Sequence, residues 1–262
     1  MTQATIDGRL DREIEYFEKH YAEEAARGIK PMLPYDRVRY TSPPANTIFP
    51  REFYYHLLGP LKGKKTLEIA CGNGIDASIC AWNGAEVHAY DISANSTSMV
   101  HRRARVNGLE DRVKTQVTGQ FTQAFEGETF DAIMGYAALH HIPMEDLAEQ
   151  VYDRLKPGGV AVFAEPVVNS KMLHRIRKMV PYYFWEPTDD EVPLNNTQIQ
   201  DFAKPFDRVV HRQFQMISRI WPAFPNNWAV QKGLHQVDHL LLKLPFLRRF
   251  ATVSVFGLYR DR

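Results

Sequence analysis

LEIACGNG, residues 67 to 74, decides the fold. KTLEIA (65 to 70) is the short apolar run of a buried strand, Gly72 and Gly74 follow at once, and Ile75 to Trp82 continues as a helix. A strand that turns through glycines into a helix is one βα unit. Its glycines let the backbone approach a bound molecule closely, and the N–H groups at the helix start are donors for an anionic group. Glu68 inside the strand is delivered to the same turn.

Outward from this unit the alternation continues. EVHAYD (86 to 91) reads as a strand, 94 to 107 as a helix, RVKTQVTG (112 to 119) and FDAIMGYA (130 to 137) as strands, 144 to 155 as a helix and GVAVFAEPVV (159 to 168) as a strand. Repeated βα units predict an α/β fold: a doubly wound, mostly parallel sheet with helices on both faces. LKPGG (155 to 159) supplies a helix stop before the last of these strands. Beyond 168 come a basic helical piece (170 to 180), an aromatic and acidic loop (181 to 193) and a helix at 197 to 203. Strands at 207 to 216 and 249 to 260 then flank a helix at 228 to 243. On the N-terminal side, Leu10, Ile14, Phe17 and Tyr21 form the apolar stripe of an amphipathic helix over 8 to 27. Residues 30 to 50, with five prolines, read as a long irregular segment. The expected organisation is one structural domain: a lid from 1 to 50, a ligand-binding core from 51 to 168, and 169 to 262 completing the sheet with a helical insertion.

Composition narrows the classes. The chain has 262 residues, 44% hydrophobic and 24% charged, as ordinary globular proteins do. A net charge of +1 gives no reason to expect nucleic acid as a partner. The 2 cysteines, Cys71 and Cys80, are too few for a disulfide framework or a four-ligand zinc site, and no basic-then-apolar leader follows Met1, so the expected location is the cytoplasm. The greasiest run, HLLLKLPFL (239 to 247), is broken by Lys243 and Pro245, so no spanning segment is expected. The leucine-rich insertion leaves open a lid, a homodimer contact or peripheral contact with a membrane surface. His235 and His239 share a helix face but lack the HExxH pattern, and no metal is expected. Lys171, Arg175, Arg177 and Lys178 read as a solvated face.

Asp91 ends the second strand, where a carboxylate can accept both hydroxyls of a ribose; a glycine turn followed by such an acid points to a nucleoside cofactor. The spacing alone leaves the cofactor open, since GNGIDA (72 to 77) also fits the dinucleotide G-x-G-x-x-G/A pattern. Three further features are the acid Glu68 ahead of the glycines, the pair Gln120 and Phe121 after the third strand, and the two trailing strands. With these the sequence resembles the class I S-adenosylmethionine-dependent methyltransferases, small-molecule type, over about residues 60 to 168. The family's acid-x-Gly-x-Gly-x-Gly motif is matched by Glu68, Gly72 and Gly74, with Ala70 where the first glycine is usual.

The resemblance implies a Rossmann-like seven-stranded sheet of order 3-2-1-4-5-7-6 with strand 7 antiparallel and helical lid elements. It implies S-adenosyl-L-methionine as cofactor and S-adenosyl-L-homocysteine as product. Its cofactor-binding residues would be Glu68, Ala70, Cys71, Gly72, Asn73, Gly74, Asp91, Ile92, Gln120, Phe121 and Tyr136, with Cys71 contributing only its backbone N–H. Gln120 stands where the family often has an acid.

His140 and His141, after the fourth strand, are positioned either to take a proton from an acceptor hydroxyl or to orient their loop. Glu165, ending the fifth strand, is either a rival base or a hydrogen-bond anchor. The aromatic and aliphatic flanking segments suit a lipophilic or phenolic small-molecule acceptor, most simply O-methylated. The N-P-P-Y type motif of several amide and nucleobase N-methyltransferases is absent from GYAALHH (135 to 141). An NAD(P)-dependent oxidoreductase and a non-catalytic S-adenosylmethionine-binding protein are the alternatives.

Overall fold

The computed structural model describes residues 3–170, 192–223 and 227–261. A seven-stranded sheet runs in the order β3-β2-β1-β4-β5-β7-β6. The strands are β1 (Lys65–Ile69), β2 (Glu86–Asp91), β3 (Val113–Val117), β4 (Phe130–Tyr136), β5 (Leu155–Pro166), β6 (Arg208–Phe214) and β7 (Val253–Arg260). Strands β1 to β5 pair in parallel, and β7 is antiparallel to both β5 and β6. This is the sheet order that the resemblance implied.

The helices are α1 (Gln3–Ala26), α2 (Pro34–Thr41), α3 (Pro50–Leu58), α4 (Ile75–Trp82), α5 (Ala94–Val106), α6 (Leu147–Arg154), α7 (Asn196–Phe202) and α8 (Trp228–Leu241). Because successive strand side chains point to opposite faces, each buried strand feeds two cores. On one face Val87, Ala89, Met134 and Val162 pack beneath Tyr54 and Leu57 of α3 and Ile79 of α4. On the other, Leu67, Ile69, Ile133 and Phe163 pack against Val151 of α6 and Phe202 of α7. A third, smaller cluster joins Phe17 and Tyr21 of α1 to Met99 of α5, which seats α1 over the carboxyl ends of the strands.

Residues 30 to 50 are not irregular throughout: α2 begins at Pro34 and α3 at Pro50. Two of the five prolines, Pro34 and Pro50, sit in the first helical turn, where a missing N–H costs nothing and the fixed φ is already helical. LKPGG is not a break before the strand: α6 ends at Arg154, β5 begins at Leu155, and the stretch is the start of β5 itself. The register passes from Phe130↔Leu155 to Ala132↔Val160, and the bulge absorbs Pro157 and Gly158, whose φ is 77°. The basic stretch with Lys171, Arg175, Arg177 and Lys178, and the aromatic loop from Tyr182 to Trp185, lie outside the described residues. Among the described residues no helix is long and apolar enough to cross a membrane.

Candidate functional site

The turn after β1 is built by backbone geometry that side chains resist. Ala70, Gly72 and Gly74 all have positive φ, 50°, 52° and 74°. For Ala70 this costs roughly 1–2 kcal/mol, a physical reason for glycine being the usual residue there. At Gly74 an added Cβ would lie 2.8 Å from the Val100 Cα, so glycine lets α4 and α5 close on one another. At Gly72 it would lie 2.7 Å from the Tyr21 Oη, so α1 presses its phenol against the turn.

Asp91 ties the turn to the end of β2. Its Oδ2 accepts the Gly72 N–H at 2.9 Å and its Oδ1 the Ser93 N–H at 3.0 Å. Burial nevertheless holds its carboxyl above the ordinary value, against these two hydrogen bonds. Ser93 caps α5 by accepting the Ser96 N–H at 3.1 Å, and Ser96 Oγ donates to the Gly72 carbonyl at 2.6 Å. Cys71 donates its N–H to the Tyr90 carbonyl at 3.0 Å, and burial pushes its thiol well up, so it remains a thiol. The fixed turn thereby leaves Asp91 as an acceptor facing a cavity.

That cavity, about 390 Å³, opens where β1, β2 and β4 end. Of the residues expected to hold a cofactor, Glu68, Ala70, Cys71, Gly72, Asn73, Asp91, Ile92 and Tyr136 line it. Gly74 does not; it serves the packing of α5. After β3 it is Gly119 that reaches the wall. Gln120 is exposed, and Phe121 is buried edge-on to Tyr90 with ring centroids 6.5 Å apart.

Glu68 is buried, and its Oε2 has no hydrogen-bond partner among the described residues. Burial raises its carboxyl well above the carboxylate range; neighbouring Asp76 adds to the rise, and Arg51 opposes it. The Arg51 Nη1 lies 3.5 Å from the Asp76 Oδ1 and its guanidinium stacks 4.3 Å over the Tyr136 ring. Burial would lower the Arg51 pKa, but Asp76 together with the tyrosines Tyr136, Tyr55 and Tyr40 outweighs it, and the cation is held above its usual value. Asp76 also accepts the Tyr55 hydroxyl.

Of the three candidate bases, His141 alone lines the cavity. Its Nδ1 is 3.6 Å from the Glu13 Oε1 of α1, and Phe17 meets its ring edge-on at 5.5 Å. Glu165 is fully buried behind it. Its Oε1 accepts the N–H groups of Ala138 and Leu139, each at 2.9 Å, and its Oε2 lies 2.8 Å from the His140 Nδ1. Glu165 and His140 thus fasten the loop that presents His141.

Local sequence reasoning missed Arg51, Asp76, Tyr21 and the α1 acids Glu13 and Glu24. Asp76 was legible, two residues past Gly74 in GNGIDA. Arg51 and the α1 residues arrive from distant segments and carry no motif. The pair His235 and His239 serves elsewhere: the His239 Nδ1 takes an N–H from Arg212 at 2.6 Å, and Asp238 between them accepts the N–H groups of Met216, Ile217 and Ser218 at 2.8 Å each.

A family profile described as methyltransferase domain matches residues 17–212. Methyltransferase GfsG of Streptomyces halstedii is 30% identical over 123 residues, 46% of this chain and 44% of that protein. A ubiquinone biosynthesis O-methyltransferase of Alkalilimnicola ehrlichii is 32% identical over 117 residues, 43% of this chain and 46% of that one. The chain thus spans less than half the length of these curated relatives. Among solved structures, the geranyl diphosphate C-methyltransferase of Streptomyces coelicolor superposes with a TM-score of 0.56 at 14% identity, covering 80% of this chain and 77% of that one. The phosphoethanolamine N-methyltransferase 2 of Haemonchus contortus gives 0.51 at 21% identity, covering 83% and 54%. Both share the fold. With a glycine turn, a strand-end aspartate and a sheet of this order, and a family match over most of its length, the chain belongs to the class I S-adenosylmethionine-dependent methyltransferase family.

Proposed function

We propose that the protein transfers a methyl group from S-adenosylmethionine to a small lipophilic or aromatic acceptor, most simply by O-methylation. The observation that carries this reading is the sign of the cavity. Among the described residues its walls hold five acidic side chains, Glu13, Glu24, Glu68, Asp76 and Asp91, against one guanidinium, Arg51. S-adenosylmethionine carries a sulfonium, an ammonium and one carboxylate. The unpartnered Glu68 Oε2 suits the ammonium, Arg51 the carboxylate, and Asp91 the ribose hydroxyls. A nicotinamide dinucleotide would bring a pyrophosphate into the same acidic walls, which disfavours it.

Bound there, S-adenosylmethionine supplies an electrophilic methyl group. The chain's task is alignment: attacking atom, methyl and sulfur must lie in line, within roughly 3–3.5 Å of contact. Tyr136 and His141, at the end of β4 and in the loop after it, form the acceptor side. The Glu13 carboxylate favours a proton on the His141 Nδ1, leaving Nε2 to accept the acceptor's hydroxyl proton. Phe17, Ile142 and Pro143 supply apolar wall that excludes water.

Calorimetric titration with S-adenosylhomocysteine and, separately, the reduced nicotinamide dinucleotide tests the reading. Binding of the first alone is expected. Binding of the dinucleotide alone would overturn it and make GNGIDA a dehydrogenase fingerprint.

A further inference from the structure

A second cavity, about 380 Å³, shares no lining residue with the first and lies between β6 at the sheet edge, the C-terminal half of α8, the turn before β7 and Ile48. Its chemistry is the opposite of the first. Arg212, Lys243 and Arg248 line it together with three imidazoles, His211, His235 and His239, against one carboxylate, Asp238. That carboxylate is committed to the three amide N–H groups of residues 216 to 218. The whole chain carries a net charge of only +1, so this concentration of cations is local.

Arg212 is the floor of the cavity. It donates to the carbonyls of Ala45 at 3.1 Å and Thr47 at 2.6 Å, and stacks over Phe214 at 4.6 Å and Phe53 at 5.1 Å. These contacts fix a half-buried, partly desolvated guanidinium, where an anion is bound more strongly than in open water. A guanidinium can only donate, so at 2.6 Å the His239 Nδ1 must be the acceptor. The neutral ring then carries its proton on Nε2, as a further donor. Burial and the neighbouring Arg212 and Lys243 hold His239 below its ordinary pKa, and burial with Arg248 does the same for His211. A bound anion would offset the neighbouring cations and favour protonation of both rings.

We propose that this cavity is an anion site for a phosphate monoester or diphosphate group, with Arg212 as its anchor, Lys243 and Arg248 as its rim, and the His239 Nε2–H as a directional donor. It is independent of the methyltransferase reading. Leu240, Leu244 and Phe246 stand exposed on the adjoining segment, at 63%, 44% and 63%, so the group could arrive free in solution or as the headgroup of an anionic lipid.

Two probes separate these sources. The full chain is titrated calorimetrically with inorganic phosphate and diphosphate at low salt, and tested for co-sedimentation with vesicles of phosphatidic acid in phosphatidylcholine against phosphatidylcholine alone. The double variant Lys243→Gln/Arg248→Gln changes two exposed side chains and should fold; Arg212→Lys keeps the charge but loses the fork. Saturable diphosphate binding, weakened about tenfold in the double variant, supports a soluble phosphorylated ligand. Binding only to phosphatidic acid vesicles, lost in the double variant, supports a headgroup. Binding of neither probe, or equal binding by wild type and the folded variants, overturns the site.

Discussion

Glu68 illustrates how a site residue works against the stability of its own fold. Its carboxyl is raised well above the usual range by burial and by Asp76. A group of this kind contributes stability that is fully present below its unfolded pKa, about 4.3, and lost as pH rises through its higher folded value. Glu68→Gln removes that loss. In the absence of ligand the variant is expected to melt above wild type at neutral pH, with the difference closing as pH falls toward about 4. Its affinity for S-adenosylmethionine should fall about tenfold by calorimetry, because a neutral amide replaces the partner of an ammonium. A variant that melts lower at neutral pH would show that the carboxyl is not destabilising. Asp91, raised in the same direction, is less exposed to this effect because two amide N–H groups already compensate it.

Among elements, the loop from Ala137 to Pro143 makes the same point through position. Glu165 sits on β5 yet holds the backbone after β4, and His141 reaches the cavity only because His140 and Glu165 lock the turn behind it. Glu165→Ala would strand two amide N–H groups and is expected to cost roughly 2–4 kcal/mol in urea unfolding, whereas His141→Ala should leave stability nearly intact and depress methyl transfer. Equal stability losses in the two variants would contradict this division.

The strands were legible because a strand buried on both faces is a continuous apolar run, and the glycine turn because only certain residues tolerate its φ. Helices α2 and α3 were not, since Pro34 and Pro50 signal a break and a helix start equally well. Nor were Gly119 and Arg51: which residue after β3 faces the cavity depends on how that loop turns, and Arg51 depends on where α3 docks. Both are tertiary facts.

Across the whole molecule, near-zero net charge conceals two cavities of opposite sign, one acidic at the carboxyl ends of the central strands and one basic at the far edge of the sheet. The helix α1 is the largest part of the acidic cavity's wall that does not belong to the sheet. The Glu18 Oε1 accepts the Ala94 N–H at 2.5 Å, Glu24 takes the Asn73 amide at 3.1 Å, and Tyr21 abuts Gly72. Since α1 lines the cavity, a ligand bound there touches the helix as well as the sheet, so an occupied cavity is expected to hold the helix down and a seated helix to hold the ligand. Thermodynamic reciprocity makes the two effects equal. Trypsin cleavage at the exposed Arg27 should therefore slow as S-adenosylhomocysteine saturates the protein, and an unchanged rate would mean that α1 is not held by the ligand. If α1 is held more firmly when the cavity is filled, a change at Glu18 or Tyr21 would weaken ligand binding without touching any strand.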